Sequence, residues 1–549
     1  MLYIYGGTED YKIPTTEKDY VYHLNTGNII SKAKCLDDLK NIQDIALEIR
    51  DDYVEYINSL NELFVNNKLI YEGNISLFYF SDLFNKRTEM FDTYISICHI
   101  TYINERLIKK FQINYIKTIE CSSSFNNALT SVIQGIELER INENSNKINF
   151  LRNHIIQYKY FIGSVFKLVM LKILYNEKSL TKTDSLFLTR YPLHFNKNFV
   201  DEKYGDLVKK NDVYLISVLT DGMHQNIHFR DIAKHARALS KRHNVILLDS
   251  YLKIIDFVGG LFGYLLLSNQ SKILYRQNYV FNNINITEFI KHELNQSINR
   301  IPRIFCYQSA IRKILSRFKI SRFIFYLHEY SYGRYFNYIL AKYFPNIERV
   351  GFQHGPAARR KLLYYLGKNV VSNSSNQWLH KTPIPNNVLA EDSLSKEVYE
   401  EAGYNNVRIM EKVYRLDYLK KIKRDKIVEN LVLIVPGLHD GLCLLDKVRS
   451  YIINNPEKKF ILKPHPRSGH FKNGIPKKYN YNNMSLGNEH ISEYLAKVSE
   501  VIVTYSSVGF EAYLLGIQTN LICLPNKINE SPLLDLYERK PDNLINIIW

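Results

Sequence analysis

Four short apolar runs near the C-terminus constrain this chain most: Leu431-Val432-Leu433-Ile434-Val435, Phe460-Ile461-Leu462, Val501-Ile502-Val503 and Leu521-Ile522-Cys523-Leu524. Each is bounded by turn residues, and none alternates with polar residues as a half-solvated strand would. Unbroken apolar runs of this length read as strands covered on both faces, the pattern of a parallel sheet flanked by helices. In such a sheet the C-terminal ends of the strands open on one crevice, where ligands bind. The residues that follow these runs are therefore the first candidates for function.

Two strand ends stand out. Lys463-Pro464-His465-Pro466-Arg467 is a basic turn bracketed by prolines. Thr504-Tyr505-Ser506-Ser507-Val508-Gly509 leads into the helix-like Phe510 to Gly516. The first offers cations or a proton, from Lys463, His465 and Arg467. The second offers hydroxyls and free backbone N–H groups at a helix N-terminus, from Ser506 and Ser507. Both suit an anion, and phosphate fits best. The serines also serve as ordinary N-caps, a role compatible with phosphate binding. Glu511, one turn into the helix, is placed to accept ribose hydroxyls or to cap. The turn Gly437-Leu438-His439-Asp440-Gly441 follows the first run, and its glycines permit close backbone approach. Gly437 and Asp440 join the donor-side candidates, although a plain strand–helix turn has the same composition.

The strand–helix rhythm starts earlier. Ser185 to Thr189, Val213 to Leu219, Val245 to Asp249, Phe323 to Leu327 and Arg349 to Phe352 read as strands with helices between them. Their ends carry Thr220-Asp221-Gly222, His328-Glu329-Tyr330 and Gln353-His354-Gly355. Transfer to a hydroxyl needs a general base, and Asp221, Glu329 and His354 all qualify. Glu329 is the first choice, as a carboxylate directly at a strand end, and Asp221 the second. Gln353 and His354 are cleft residues that bind donor or acceptor, or orient the cleft.

With 549 residues the chain exceeds one hydrophobic core. The expected division is residues 1–180, a mixed α/β start followed by helices, with 88–178 mostly helical; 181–425, a Rossmann-like acceptor lobe ending in the charged hinge Lys420 to Arg424; and 426–549, a smaller Rossmann-like donor lobe. The fold class is α/β, with two doubly wound domains facing a cleft and a helical addition in the N-terminal half.

The formal net charge of +17 favours an acidic partner. The charge is spread along the chain, as on a solvated basic surface, and no zinc-finger or RNP-type motif is present, which places nucleic acid last, after a membrane surface or nucleotide substrate. Six widely spaced cysteines with no Cys-x-x-Cys pair fit a reducing compartment and no zinc site. The N-terminus reads as a strand and turn, so a cytoplasmic location is expected, at or near the inner face of the membrane. The run Phe257 to Leu267 is about half the ~20 apolar residues a span needs, and reads as a buried helix or a shallow insertion. The basic helix His228 to His243 precedes it and leaves peripheral membrane attachment open. No Asp-x-Asp follows an apolar strand, so no divalent metal is indicated, and no cofactor is expected. Walker A, Gly-x-Gly-x-x-Gly and Gly-x-Ser-x-Gly motifs are all missing.

Lys463-Pro464-His465-Pro466, Ser506-Ser507 and Gly509-Phe510-Glu511-Ala512 together resemble the His-Pro and Ser motifs of bacterial GT-B glycosyltransferases of surface polysaccharide assembly. That group includes sialic acid, Kdo and other nonulosonate transferases. The strand ends at 328–330 and 351–355, and the aromatic stretch Tyr71 to Phe80, are similar to motifs of the same superfamily. The resemblance implies a nucleotide-sugar donor on the C-terminal lobe, metal-independent transfer, and a glycan or lipid-linked glycan acceptor. It also implies that His465 engages the donor phosphate, with Ser506 and Ser507 binding it. The sialyltransferases carry an acidic pair before a glycine in the N-terminal lobe, where this chain has the single Asp221. Two alternatives remain: a CDP-polyol phosphotransferase of teichoic-acid type, and a non-catalytic membrane-surface scaffold.

Overall fold

Three parallel sheets, each with the same internal strand order, organise the computed structural model of the protein. The structure describes residues 1–549 apart from 28, 87–92, 145–147, 149, 179–182, 193, 218–228, 327, 372–377 and 466–467. The sheets have five, seven and six strands. In each, the first strand in sequence lies between the second and the fourth, the third is at one edge, and later strands extend the other side. That order creates a topological switch point between the first and fourth strands, where the chain leaves the sheet in opposite directions.

The second sheet begins with Ser185–Thr189 and the third with Val428–Val435. These are the two Rossmann-like units expected, in an α/β doubly wound chain. Ser185–Thr189 and Val213–Ile216 are buried at every position, as strands covered on both faces must be. The first sheet is an addition to that expectation. Leu2–Tyr5 is its central strand, and it recruits Tyr115–Ile119 and Glu137–Ile141 from the stretch expected to be mostly helical. Glu137–Ile141 is an edge strand with no buried position, so it lacks the apolar run that marks a central one.

The first two units share one hydrophobic core, which runs from Leu2 to Val407 without a break at 180 and takes in Ile528 from the third unit. The aromatic stretch around Tyr71 is one reason. Tyr71 Oη donates to Gln308 at 2.7 Å and its ring lies 4.1 Å from that of Phe305, while Arg334 Nε donates to the carbonyl of Tyr79 at 2.6 Å. The third unit has separate cores on the two faces of its sheet.

Buried polar ties hold the third unit against the other two. The fully buried Arg360 reaches the carbonyl of Gln43 at 3.0 Å, Asp535 at 3.3 Å and Glu538 at 2.6 Å, so one guanidinium touches all three units. His99 bridges Tyr22 Oη (2.6 Å) and the carbonyl of Pro525 (2.7 Å), and burial pushes its pKa down to about 4, so it crosses the interface as a neutral imidazole. Asn526 donates to Asn25 at 3.1 Å. Among the described residues, no helix is long and apolar enough to cross a membrane.

Candidate functional site

The third sheet brings its sequence-predicted residues to one edge. Val435 pairs with Val503 across the switch point, and Ile434 with Leu462 on the other side. Pro436-Gly437, Lys463 to His465 and Thr504 to Ser507 thus leave three adjacent strands at the same level. The Lys463 amide donates to the carbonyl of Ile434 at 2.8 Å, which fixes where the basic turn begins. The His465 carbonyl accepts from the Ser468 amide at 2.8 Å, closing that turn; Pro466 and Arg467 lie outside the described residues. Lys463 Nζ is 3.4 Å from the carbonyl of Gly487, and burial lowers its pKa.

Ser506 is the N-cap of the Ser507–Leu514 helix, its hydroxyl accepting from the Val508 amide at 3.4 Å. The cap bond is long, and Ser507 sits in the first turn, where backbone N–H groups have no intrahelical partner. Both serines are only partly buried. An anion held there meets N–H donors and the positive end of the helix dipole.

Other donor-side candidates take different roles. A Cβ on Gly437 would lie 2.4 Å from the ring of Tyr505, so the glycine lets that ring close over the switch point. Lys527 stands over the same ring at 4.9 Å and donates to its hydroxyl at 3.4 Å. Asp440 is fully buried; it accepts from Thr504 Oγ1, and burial raises its pKa. It ties the first turn to the fourth strand from behind the crevice. Glu511 is buried too, bonded to Tyr418 Oη at 2.5 Å and to Arg415 at 3.4 Å. Arg415 in turn chelates Glu391 through two nitrogens at 2.5 Å. Glu511 therefore joins the two lobes through Arg415 and is not open to a ribose.

The second sheet's switch point is built from side chains. Tyr326 Oη receives the Arg190 amide at 2.7 Å and lies 2.7 Å from His194 Nδ1, 2.9 Å from Thr189 Oγ1 and 3.4 Å from Asp201. Asp201 also accepts from Thr189, and burial raises its carboxyl to about 6. The ring of His354 lies 5.3 Å from that of Tyr326. Burial, then the charges of Arg190, Lys203, His194 and Lys361, hold His354 well below its ordinary range. It is a neutral imidazole at physiological pH, and its Nδ1 has no hydrogen-bond partner among the described residues.

Gln353 and Glu329 lie deeper. Gln353 donates to the Gly355 carbonyl (2.8 Å) and Ser395 Oγ (2.9 Å) and accepts from the Glu391 amide (2.9 Å), so it braces the strand end. The Glu329 side chain has no solvent exposure; it accepts from Tyr399 Oη at 2.7 Å and lies 3.2 Å from His328 Nε2. A carboxylate behind Tyr399 has no route to a substrate hydroxyl, which corrects its placement as the first-choice base. Asp221 lies outside the described residues.

Reasoning from sequence passed over Arg190, His194, Lys203, Tyr326, Lys361 and the Tyr505–Lys527 pair. Tyr505 had a readable signal, standing between the strand and the serines. The others come from segments whose meeting depends on the register of the second sheet.

No family model matches the sequence, and no curated protein matches it. Among solved structures, the wall teichoic acid polymerase TagF is similar at 13% identity, over 73% of this chain and 86% of that one, with a TM-score of 0.30. MurG from Acinetobacter baumannii is similar at 10% identity, over 67% of this chain and 86% of its own, with a TM-score of 0.33. UDP-GlcNAc 2-epimerase from Neisseria meningitidis, bound to UDP-GlcNAc, is similar at 12% identity over 62% and 82%, with a TM-score of 0.31. Overlaps this loose carry no argument about activity, and the fold assignment rests on strand order and register.

Proposed function

We propose that the protein is a GT-B-type transferase that moves a glycosyl unit from a nucleotide-activated donor to a hydroxyl of a surface glycan or its lipid-linked precursor. The observation that carries this reading is the edge of the third sheet. There a glycine turn, a Lys–Pro–His turn and a capped helix N-terminus leave adjacent strands around one switch point. That set offers N–H donors, hydroxyls and cations to a phosphate, and a tyrosine face beside it.

In this reading Ser506, Ser507 and the amides of the first helical turn bind the donor phosphate, with Lys463 adding charge. His465 assists departure of the nucleotide as the bond from the anomeric carbon to the phosphate oxygen breaks. The new bond forms from the acceptor oxygen to the same carbon, and the acceptor proton passes to a base on the second lobe. Among the described residues His354 suits that task best, since it is neutral and stands at the strand end beside the second switch point. Asp221 keeps the candidacy its sequence position gives it. No step calls for a metal ion. A keto-acid sugar carried by CMP is the donor favoured by the His-Pro and Ser pattern.

Nucleotide release tests the reading. Wild-type protein with CMP-sugar, UDP-sugar and CDP-glycerol donors is expected to release one nucleotide in an acceptor-dependent way, and His465→Ala to lose ~10³-fold of that rate. Release of CMP with glycerol phosphate transferred, rather than a sugar, would move the assignment to a polyol phosphotransferase. No binding of any donor by calorimetry would overturn both in favour of a scaffold.

A further inference from the structure

The Phe150–Leu174 and Ile254–Gln270 helices pack against one another through their buried faces. A Cβ on Gly260 would meet Phe161 at 2.7 Å, and Tyr264 Oη lies 2.9 Å from His154 Nδ1. These two contacts run in opposite directions along the chain, so the helices are antiparallel.

Each helix has a second apolar face, and among the described residues that face is exposed. On Phe150–Leu174 the buried positions are Gln157, Phe161, Ser164, Leu168 and Leu171. Leu151, Ile155, Ile162, Phe166, Val169 and Ile173 recur at the same three- and four-residue spacing, but outward. Leu151 is 71% exposed, Phe166 63% and Ile173 77%. On Ile254–Gln270 the outward residues are Ile255, Val258, Phe262 and Leu266, the last two 62% and 64% exposed. The apolar run Phe257 to Leu267, expected to be either buried or shallowly inserted, has one face in the core and one exposed. Scattered exposed apolar residues are ordinary, but two packed helices that each carry a second, outward apolar face are not.

The charges around these faces are predominantly positive. Phe150–Leu174 contains no Asp or Glu and carries Arg152, Lys159, Lys167 and Lys172. Ile254–Gln270 has the single acid Asp256, which is occupied at the helix start by the Lys253 amide (2.7 Å) and Ser309 Oγ (2.9 Å). The neighbouring Phe229–Ser240 helix packs on Phe150–Leu174 and exposes Arg230, Lys234 and Arg237 against the single acid Asp231. A cavity of about 490 Å³ opens beside Ile255, Gly259, Gly263 and Leu266, with Ile301 and Phe305 on its far wall. Among the described residues nothing lies within 4 Å of a Cβ built on Gly259 or Gly263, so the helix surface is open there.

We infer that this helix pair is a membrane-docking platform whose partner is the surface of an anionic lipid bilayer. The outward apolar faces enter the headgroup and upper acyl region, and the lysines and arginines beside them meet anionic headgroups. The adjoining cavity receives a hydrocarbon chain from the same leaflet. Neither helix spans; the protein lies on the membrane through hydrophobic burial and charge together. The inference is independent of donor chemistry and stands or falls separately from the transfer reading.

Flotation of the full-length protein with lipid vesicles is the test. Wild type is expected to float with vesicles containing a quarter phosphatidylglycerol, and more weakly with pure phosphatidylcholine. Phe166→Ser/Phe262→Ser/Leu266→Ser should lower partitioning at least ~10-fold on the anionic vesicles, since hydrocarbon burial supplies most of the attachment. These side chains are exposed, so the variant should retain the wild-type melting temperature and donor binding. Lys159→Glu/Lys172→Glu should lower binding to anionic vesicles alone, in a salt-dependent way. Equal flotation of wild type and the triple serine variant would overturn the inference. So would light scattering that shows a dimer dissociated by the same three substitutions, because a second copy of the chain would then cover the face.

Discussion

The switch points of the second and third sheets have the same topology and opposite construction. The third is lined by local features of the chain: a glycine, two serines, a helix N-terminus, and the Lys463 to His465 segment, whose last carbonyl accepts from the Ser468 amide. The second is filled by side chains that hold one another. Tyr326 alone touches Arg190, His194, Thr189 and Asp201. An edge of backbone amides and hydroxyls is suited to hold an anion whatever is attached to it. A network of mutually bonded side chains fixes the position and charge state of one group, here His354. On the proposed function, the contrast would give binding of the common nucleotide part to one lobe and positioning of the proton transfer to the other.

The largest effect that can break this contrast comes from exchanging the two candidate bases. His354→Ala is expected to lower kcat by ~10²-fold or more with little change in donor KM, as loss of a proton acceptor does. Glu329→Gln should stay within ~3-fold of wild type in kcat, since the amide oxygen can still accept from Tyr399. Steady-state kinetics on both variants decides it. If Glu329→Gln falls as far as His354→Ala, the buried carboxylate is coupled to the chemistry and the division of labour is wrong.

How far the sequence reached follows the same contrast. The third crevice was legible because its parts are contiguous: each strand end and the turn after it sit within ten residues, and Pro, Gly and Ser state their backbone roles directly. The second crevice was legible only at its strand end, Gln353 and His354, and not in the residues that surround them. Arg190, Lys203, Tyr326 and His354 are spread over more than a hundred and sixty residues, and only the pairing of Leu188 with Phe325 and of Phe325 with Gly351 brings them to one level. Glu329 misled because a polar residue at a strand end looks open until the Ser393–Glu401 helix lays Tyr399 over it. The first sheet escaped because two of its strands carry little apolar signal: Lys34–Cys35 is exposed and Glu137–Ile141 has no buried position.

A smaller effect sharpens the binding side. Ser506→Ala removes a cap whose bond to the Val508 amide is already long, so the helix should lose only ~1 kcal/mol. Donor KM should rise ~5-fold, because the hydroxyl bonds the donor phosphate in this reading, and kcat should hardly move. Thermal melting alongside donor titration separates the two consequences. A drop in melting temperature with unchanged donor affinity would leave Ser506 as a cap only and shift phosphate binding to Ser507 and the backbone.

The finest test addresses the charge state of His354. Burial and the surrounding cations keep its pKa below the usual imidazole value, so the proposed base is in its active, neutral form throughout the neutral range. Activity should then be lost on the acid side only as pH falls below that depressed pKa. Lys203 is one of the cations that disfavour the protonated ring. Its amide, not its ammonium, bonds Asp201 at 2.7 Å, so Lys203→Met leaves that brace in place. Removing the charge stabilises the imidazolium relative to the neutral ring, which raises the pKa. The acid limb of kcat/KM should therefore move upward by ~0.5 pH, with the alkaline side unchanged. A limb that stays put, or moves down, would mean that another group sets the acid side and that the cations around His354 serve the acceptor's charge instead.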